Sequence, residues 1–207
     1  YSAIVNYGVE CSNGEYIVML NNDIEFITED WIEQLLMYAQ RPDVGICGAK
    51  LYFPDRSIQH AGVTLGTRGL AGHRCREVQE KDFKKDDYIN IVQDLSAVTA
   101  ACFMVRKQLY IDMLGFDGKL AVAFNDVDFC MKIRTAKYLI VYNPFVEAYH
   151  YESKSRGEDT ENTEKQKRFA KEYELFVKRW SKVIAKGDPY YNPNLTLNNT
   201  DCSLRKQ

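Results

Sequence analysis

The chain has 207 residues, 45% apolar and 27% charged, with 27 Lys and Arg against 29 Asp and Glu for a formal net charge of −2. This composition excludes a wholly disordered chain and supports one domain, or one plus an extension, long enough for a real core. The charge balance excludes a general binder of nucleic acid or anionic membrane, and no stretch reaches the roughly 18 apolar residues of a spanning helix.

In chain order, residues 1–12 read as the end of a helix, stopped by Asn13-Gly14. GEYIVML follows, a short apolar run rich in β-formers, and reads as a buried strand ending in Asn21-Asn22-Asp23. Thr28 is placed to cap a helix whose stripe is Trp31, Leu35 and Tyr38, and Pro42 ends it. A second strand is expected over 44–53. Residues 55–93 carry weak signals, several glycines and a charged stretch, the pattern of a long functional segment. Strands are expected within 95–105, 138–142 and 145–149, and a helix over 125–136. From 164 to 185 the apolar positions are Phe169, Tyr173, Phe176, Val177, Trp180, Val183 and Ile184, an amphipathic helix of five or six turns. The alternation of strands and helices predicts an α/β domain with a mixed, largely parallel sheet flanked by helices, and such sheets bind ligands beyond the carboxyl ends of their strands.

Six cysteines stand at 11, 47, 75, 102, 130 and 202 with neither a Cys-x-x-Cys pair nor zinc-finger spacing. They are read as reduced thiols of an intracellular protein, most of them small hydrophobes.

Two acidic clusters could carry chemistry. Asn21 and Asp23 share one face at a strand end, where two oxygen-bearing side chains suit a hard divalent cation; a plain strand-ending turn is the structural alternative. Asp126 and Asp128 lie about 200° apart on a helix, so they serve different surroundings. Asp126 in the first turn can project into a cleft or simply complement the helix dipole. Asp128, with Lys132 four residues on, reads as a solvated pair. His60, His73 and His150 are each, taken alone, more commonly structural than ligating. No Gly-x-Ser-x-Gly, P-loop or dinucleotide fingerprint is present.

Together, GEYIVMLNNDIEFITEDWIEQL, IQHAGV, AVTAACFMVRK, GFDGKLAVAFNDVDFCMKIR and YHYESKSRG resemble, in order, family 2 glycosyltransferases of the GT-A fold. The closing DPYYNPNLTL and CSLR are similar to bacterial rhamnosyltransferase-like members of surface polysaccharide assembly. The resemblance implies an inverting transfer from a nucleotide-diphosphate sugar to a saccharide acceptor, with Mg²⁺ or Mn²⁺ as cofactor. It implies Asp23 and His150 as metal ligands, Asn21 and Asn22 on the donor side, Asp126 as catalytic base, and Thr99, Ala100, Ala101, Cys102 and Asn125 on the acceptor side. Asn21 stands where the family's first metal-motif Asp would be, and Asn125 replaces a Glu.

It further implies a partial catalytic domain over 1–157, with a helix and irregular tail over 158–207 packed on it. Tyr1 falls after the strand–helix units that bind the nucleotide, so this piece alone is expected to transfer sugar slowly or not at all. The expected location is the cytoplasm or the inner membrane face, with at most peripheral membrane contact and no nucleic-acid partner. The competing reading is a non-catalytic carbohydrate-binding or scaffold module that retains the fold.

Overall fold

The computed structural model describes residues 1–84, 87–151 and 163–206. The elements in order are α1 (Ser2–Cys11), β1 (Tyr16–Leu20), β2 (Ile24–Phe26), α2 (Trp31–Ala39), β3 (Val44–Tyr52), β4 (Ile58–His60), β5 (Val63–Leu65), β6 (Ala71–His73), β7 (Gln93–Asp94), β8 (Cys102–Arg106), α3 (Lys107–Asp112), α4 (Asn125–Thr135), β9 (Leu139–His150) and α5 (Thr163–Ile184).

The main sheet runs β1-β8-β3-β9-β2, with β4 added to β3 and β7 to β9. Strand β3 is buried at all nine positions; its one charged residue, Lys50, is held by Asn90 and Glu147. Alternation sends Ile46, Phe103 and Val105 to one core cluster and Cys47, Cys102 and Met104 to another. Helix α2 contributes Leu35 and Ala39 to the second cluster. Helices α4 and α5 contribute Phe129 and Phe176 to the first.

The sheet is mixed and helix-flanked, as the sequence predicts, but not largely parallel. Among the described residues only β3 and β9 pair in parallel; β1–β8, β3–β8, β3–β4, β2–β9 and β7–β9 are antiparallel. Parallel neighbours need a crossover element. Between β3 and β8 the chain instead makes the short strands β4 to β7 and single turns of 3₁₀ helix.

Local expectations are met or moved by tertiary contacts. Helix α1 ends at Cys11, where the Ser12 N–H and hydroxyl both donate to the Val9 carbonyl. Thr28 does not cap α2. Its hydroxyl donates to the Phe145 carbonyl and accepts the Glu147 N–H, because sheet pairing with β9 competes for it. The runs 138–142 and 145–149 join into the single strand β9. Its pairing with β3 jumps from Asn143 opposite Ala49 to Glu147 opposite Lys50, so Pro144 sits in a bulge.

Asp128 is not solvated. It is fully buried and accepts from Arg179 at 2.6 Å and from the Trp180 indole at 2.8 Å, because α5 covers that face of α4. Phe176 and Trp180 are buried, while Phe169 and Tyr173 are half-exposed and, with Phe176, surround the Phe124 ring. None of the described helices is long and apolar enough to cross a membrane. Positions 152–157 of the YHYESKSRG segment and the 157/158 boundary lie outside the described residues.

Candidate active site

The carboxyl end of β1, the start of α4 and the end of β9 meet at one cleft of about 440 Å³. Its lining contains Asn21, Asn22, Asp23, Thr99, Ala100, Ala101, Asn125, Asp126 and His150 of the residues singled out from sequence. It also contains Tyr1, Gln59, His73 and Val122.

Pairing of β2 with β9 sets Ile24 opposite His150, and the Tyr151 N–H donates to the Asp23 carbonyl at 3.0 Å. This register brings His150 Nε2 to 3.3 Å from Asp23 Oδ1 and 3.2 Å from Asn21 Nδ2. Asp23 and His150 thus set a carboxylate oxygen and an imidazole nitrogen side by side, donor types that Mg²⁺ or Mn²⁺ accepts. The pair therefore fits such an ion. Among the described residues no group of three His, Cys, Asp or Glu is placed to hold one.

Asp126 stands opposite, at the start of α4. The left-handed backbone of Phe124 (φ 62°) turns the chain into the helix. The Ala100 N–H donates to Asp126 Oδ2 at 3.3 Å and the Val127 N–H to Oδ1 at 2.8 Å, fixing the carboxylate plane. Asp126 is half-buried and open to the cleft. The Tyr1 hydroxyl donates towards the Ala100 carbonyl at 3.4 Å. Burial, with the Asp126 charge second, pushes its pKa up to about 12, so it stays a neutral donor.

Asn125 is buried and donates to Ser2 Oγ at 3.2 Å; the Ser2 hydroxyl donates in turn to the Leu120 carbonyl at 2.5 Å. Asn125 thus ties the start of α1 to the start of α4. Cys102 leaves the predicted set. It pairs with Leu20 inside the sheet, is 1% exposed and faces the second core cluster, because strand alternation turns its side chain away from the cleft.

Two histidines that read as isolated in the sequence are joined here. The Thr99 N–H donates to His60 Nε2 at 3.3 Å, which leaves the His60 proton on Nδ1, 3.1 Å from His73 Nδ1. His73 must then accept on Nδ1 and carry its own proton on Nε2. Its Nδ1 also lies 3.2 Å from the Gln59 carbonyl, a contact that is not a hydrogen bond in this tautomer. Burial first, and the neighbouring His73 second, hold the His60 pKa well below the usual imidazole range, so His60 is neutral. His60 therefore holds Thr99, while the next peptide N–H, Ala100, holds Asp126. The only sequence signal for this was two histidines 13 positions apart.

A larger concavity of about 1280 Å³ lies against the tail, lined by Arg134, Asp188 and Tyr191 among others. Its carboxylate, Asp188, is engaged structurally, accepting from the Leu65 N–H and the Ser96 hydroxyl at 2.7 Å each.

Comparison with known proteins gives a consistent assignment. The description of glycosyl transferase family 2 matches residues 1–114. The chain is 43% identical over 206 residues to the uncharacterized protein y4gI of Sinorhizobium fredii (strain NBRC 101917 / NGR234), covering 99% of this chain and 22% of that protein. It is 34% identical over 208 residues to the O-antigen biosynthesis protein RfbC of Myxococcus xanthus, covering 100% and 16%. It is 22% identical over 153 residues to the N-acetylglucosaminyl-diphospho-decaprenol L-rhamnosyltransferase of Mycobacterium tuberculosis (strain CDC 1551 / Oshkosh), covering 70% and 50%. The chain thus spans half or less of these relatives' lengths. The fold is similar to GalNAc-T7, solved with UDP, GalNAc and Mn²⁺, at a TM-score of 0.64 and 12% identity over 89% of this chain and 36% of that one. With the family match covering more than half of its length, the chain belongs to glycosyl transferase family 2 and carries a GT-A-like fold.

Proposed function

We propose that the protein containing this chain transfers a sugar, with inversion, from a nucleotide-diphosphate sugar to a saccharide acceptor in cell-surface glycan synthesis. The observation that carries this reading is the convergence of Asp23, His150 and Asp126 on one cleft. The named O-antigen and rhamnosyl-transfer relatives support the glycan class.

In this reading Asp126 accepts the proton of the acceptor hydroxyl as that oxygen attacks the anomeric carbon. The N–H groups of Ala100 and Val127 aim its oxygens, so little reorientation is needed at the moment of transfer. Asp23 and His150 would hold Mg²⁺ or Mn²⁺, which when bound neutralises charge on the diphosphate. Asn21 contributes an uncharged amide on the donor side. Thr99, Ala100 and Ala101 form the wall between donor and acceptor.

The test uses the longer natural protein with candidate nucleotide sugars. Asp126→Asn should lower transfer by about 10²–10⁴-fold and leave nucleotide binding intact. Undiminished turnover would remove Asp126 as the base. Saccharide binding with no turnover in the unaltered protein would favour the scaffold reading.

A further inference from the structure

Cys75 and Cys202 are 127 positions apart, yet their sulfurs lie 3.4 Å from each other. The Cys75 S–H donates to the Cys202 sulfur at this distance, and bond formation needs the sulfurs to close to about 2.05 Å. Cys75 follows β6 and is fully buried, with its sulfur 2.8 Å from the Tyr88 hydroxyl. Its backbone is held too, since its N–H donates to the Thr200 carbonyl at 2.5 Å. Cys202 is partly exposed near the end of the tail. Both residues adopt left-handed backbone conformations, with φ of 55° each. Such conformations are costly for a side chain with a Cβ. The remaining cysteines are differently placed: Cys47, Cys102 and Cys130 are buried and Cys11 is exposed.

We infer that Cys75 and Cys202 form a dithiol site that reacts with low-molecular-weight disulfides of the glutathione type and closes into a reversible intramolecular disulfide. The division of roles follows from access. Cys202 can be reached from solvent and attacks first; Cys75 cannot, and resolves. The Cys202 thiolate attacks one sulfur of the reagent disulfide, whose S–S bond breaks, releasing one thiolate and leaving a mixed disulfide on Cys202. The Cys75 sulfur then attacks Cys202 Sγ, and its proton passes to the departing second reagent thiolate. The mixed S–S bond breaks and the second reagent thiolate departs. Two protein thiols are oxidised, one reagent disulfide is reduced to two thiols, and no further oxidant is needed.

The electrostatics agree with this order. The Cys75 S–H, with Tyr88 and Arg74 adding, holds the Cys202 pKa below the ordinary thiol range, while that same shared hydrogen bond and burial push Cys75 up. Closure would join the tail to the β5–β6 hairpin, which bears the cleft residue His73. The inference is independent of the transferase reading.

The experiment titrates the chain with oxidised glutathione, quenches with acid, alkylates the remaining thiols and maps the peptides by mass. The expected result is a Cys75–Cys202 linked peptide, with Cys47, Cys102 and Cys130 still alkylated, reversed by a dithiol reductant. Cys75→Ser should trap glutathione on Cys202, and Cys202→Ser should leave Cys75 reduced. Should either variant fail to fold, the map of the unaltered chain decides alone. A mixed disulfide persisting on Cys202 without closure, or Cys202 remaining unmodified while Cys11 reacts, would overturn the inference.

Discussion

Asp126 and Asp128 are separated by one residue, and the structure predicts opposite consequences for their loss. Asp128 has no exposed surface and accepts two hydrogen bonds, from Arg179 at 2.6 Å and Trp180 at 2.8 Å. A hydrogen bond to a charged group contributes about 1.5–3 kcal/mol net, and an acceptor removed from a buried donor costs the donor's full desolvation. In Asp128→Ala the Trp180 N–H is stranded. The Arg179 charge is not, because it keeps Asp117 at 2.6 Å and is one-third exposed. The sum is a loss of about 3–4 kcal/mol. At about 2–4 °C per kcal/mol for a chain of this size, the melting midpoint falls by about 10 °C. Asp128→Asn keeps one acceptor oxygen and should lose about 2 kcal/mol. Asp126→Asn should cost under about 1 kcal/mol, because Asp126 is only half-buried and the amide keeps an acceptor oxygen for a backbone N–H. Urea unfolding followed by Trp emission and far-ultraviolet dichroism measures all three. Equal shifts for the two Asn variants, or a loss below about 1 kcal/mol for Asp128→Ala, would refute the assignment of Asp128 to the helix–helix joint.

Three further outcomes follow from the geometry. His60 has a folded pKa depressed below its unfolded value of about 6.5, so its contribution is fully present above that pH. Stability should then fall by about 1.4 kcal/mol per pH unit as the pH drops below about 6.5, until the folded pKa is reached. Urea midpoints between pH 7.5 and 5.5 read this slope; an undiminished slope in His60→Gln would assign it elsewhere. The buried Glu172 carboxylate accepts the N–H groups of Val122 and Ala123 at 3.2 and 2.8 Å, bracing the loop before Asp126. Glu172→Gln should cost about 2 kcal/mol and, in the longer natural protein, lower kcat with KM for the nucleotide sugar unchanged; a KM effect alone would reject the bracing role. Asp23→Ala in that protein should weaken Mg²⁺-dependent binding of a nucleoside diphosphate by about tenfold or more without altering metal-free binding, as read by calorimetry. Equal weakening with and without Mg²⁺ would count against Asp23 as a metal ligand.

Much of the local structure was legible because it depends on short-range pattern. The strand in GEYIVML, the stripe of α5 and the start of α4 at Asn125 are set by periodicity and backbone chemistry within a few residues, but the burial expected of that strand is not met: β1 lies at the sheet edge with only Met19 buried. The site was legible in part for the same reason: Asp23 ends a strand run and Asp126 opens a helix, both places where side chains project beyond the sheet. Cys102 was misplaced because membership in a motif says nothing about which face of the sheet a residue takes once its register is set.

The amino-acid sequence by itself determined the strands β1, β3, β8 and β9, the helices α2, α4 and α5, the GT-A family likeness and the candidates Asp23, Asp126 and His150. Only the tertiary structure decided that β8 runs antiparallel between β1 and β3, that Asp128 belongs to α5 rather than to solvent, and that His60 joins His73 and Cys75 meets Cys202. The reason is range. Periodicity and capping act over one or two turns of chain. Register, burial and partner choice are fixed by packing between residues up to 127 positions apart, where no local preference distinguishes one partner from another.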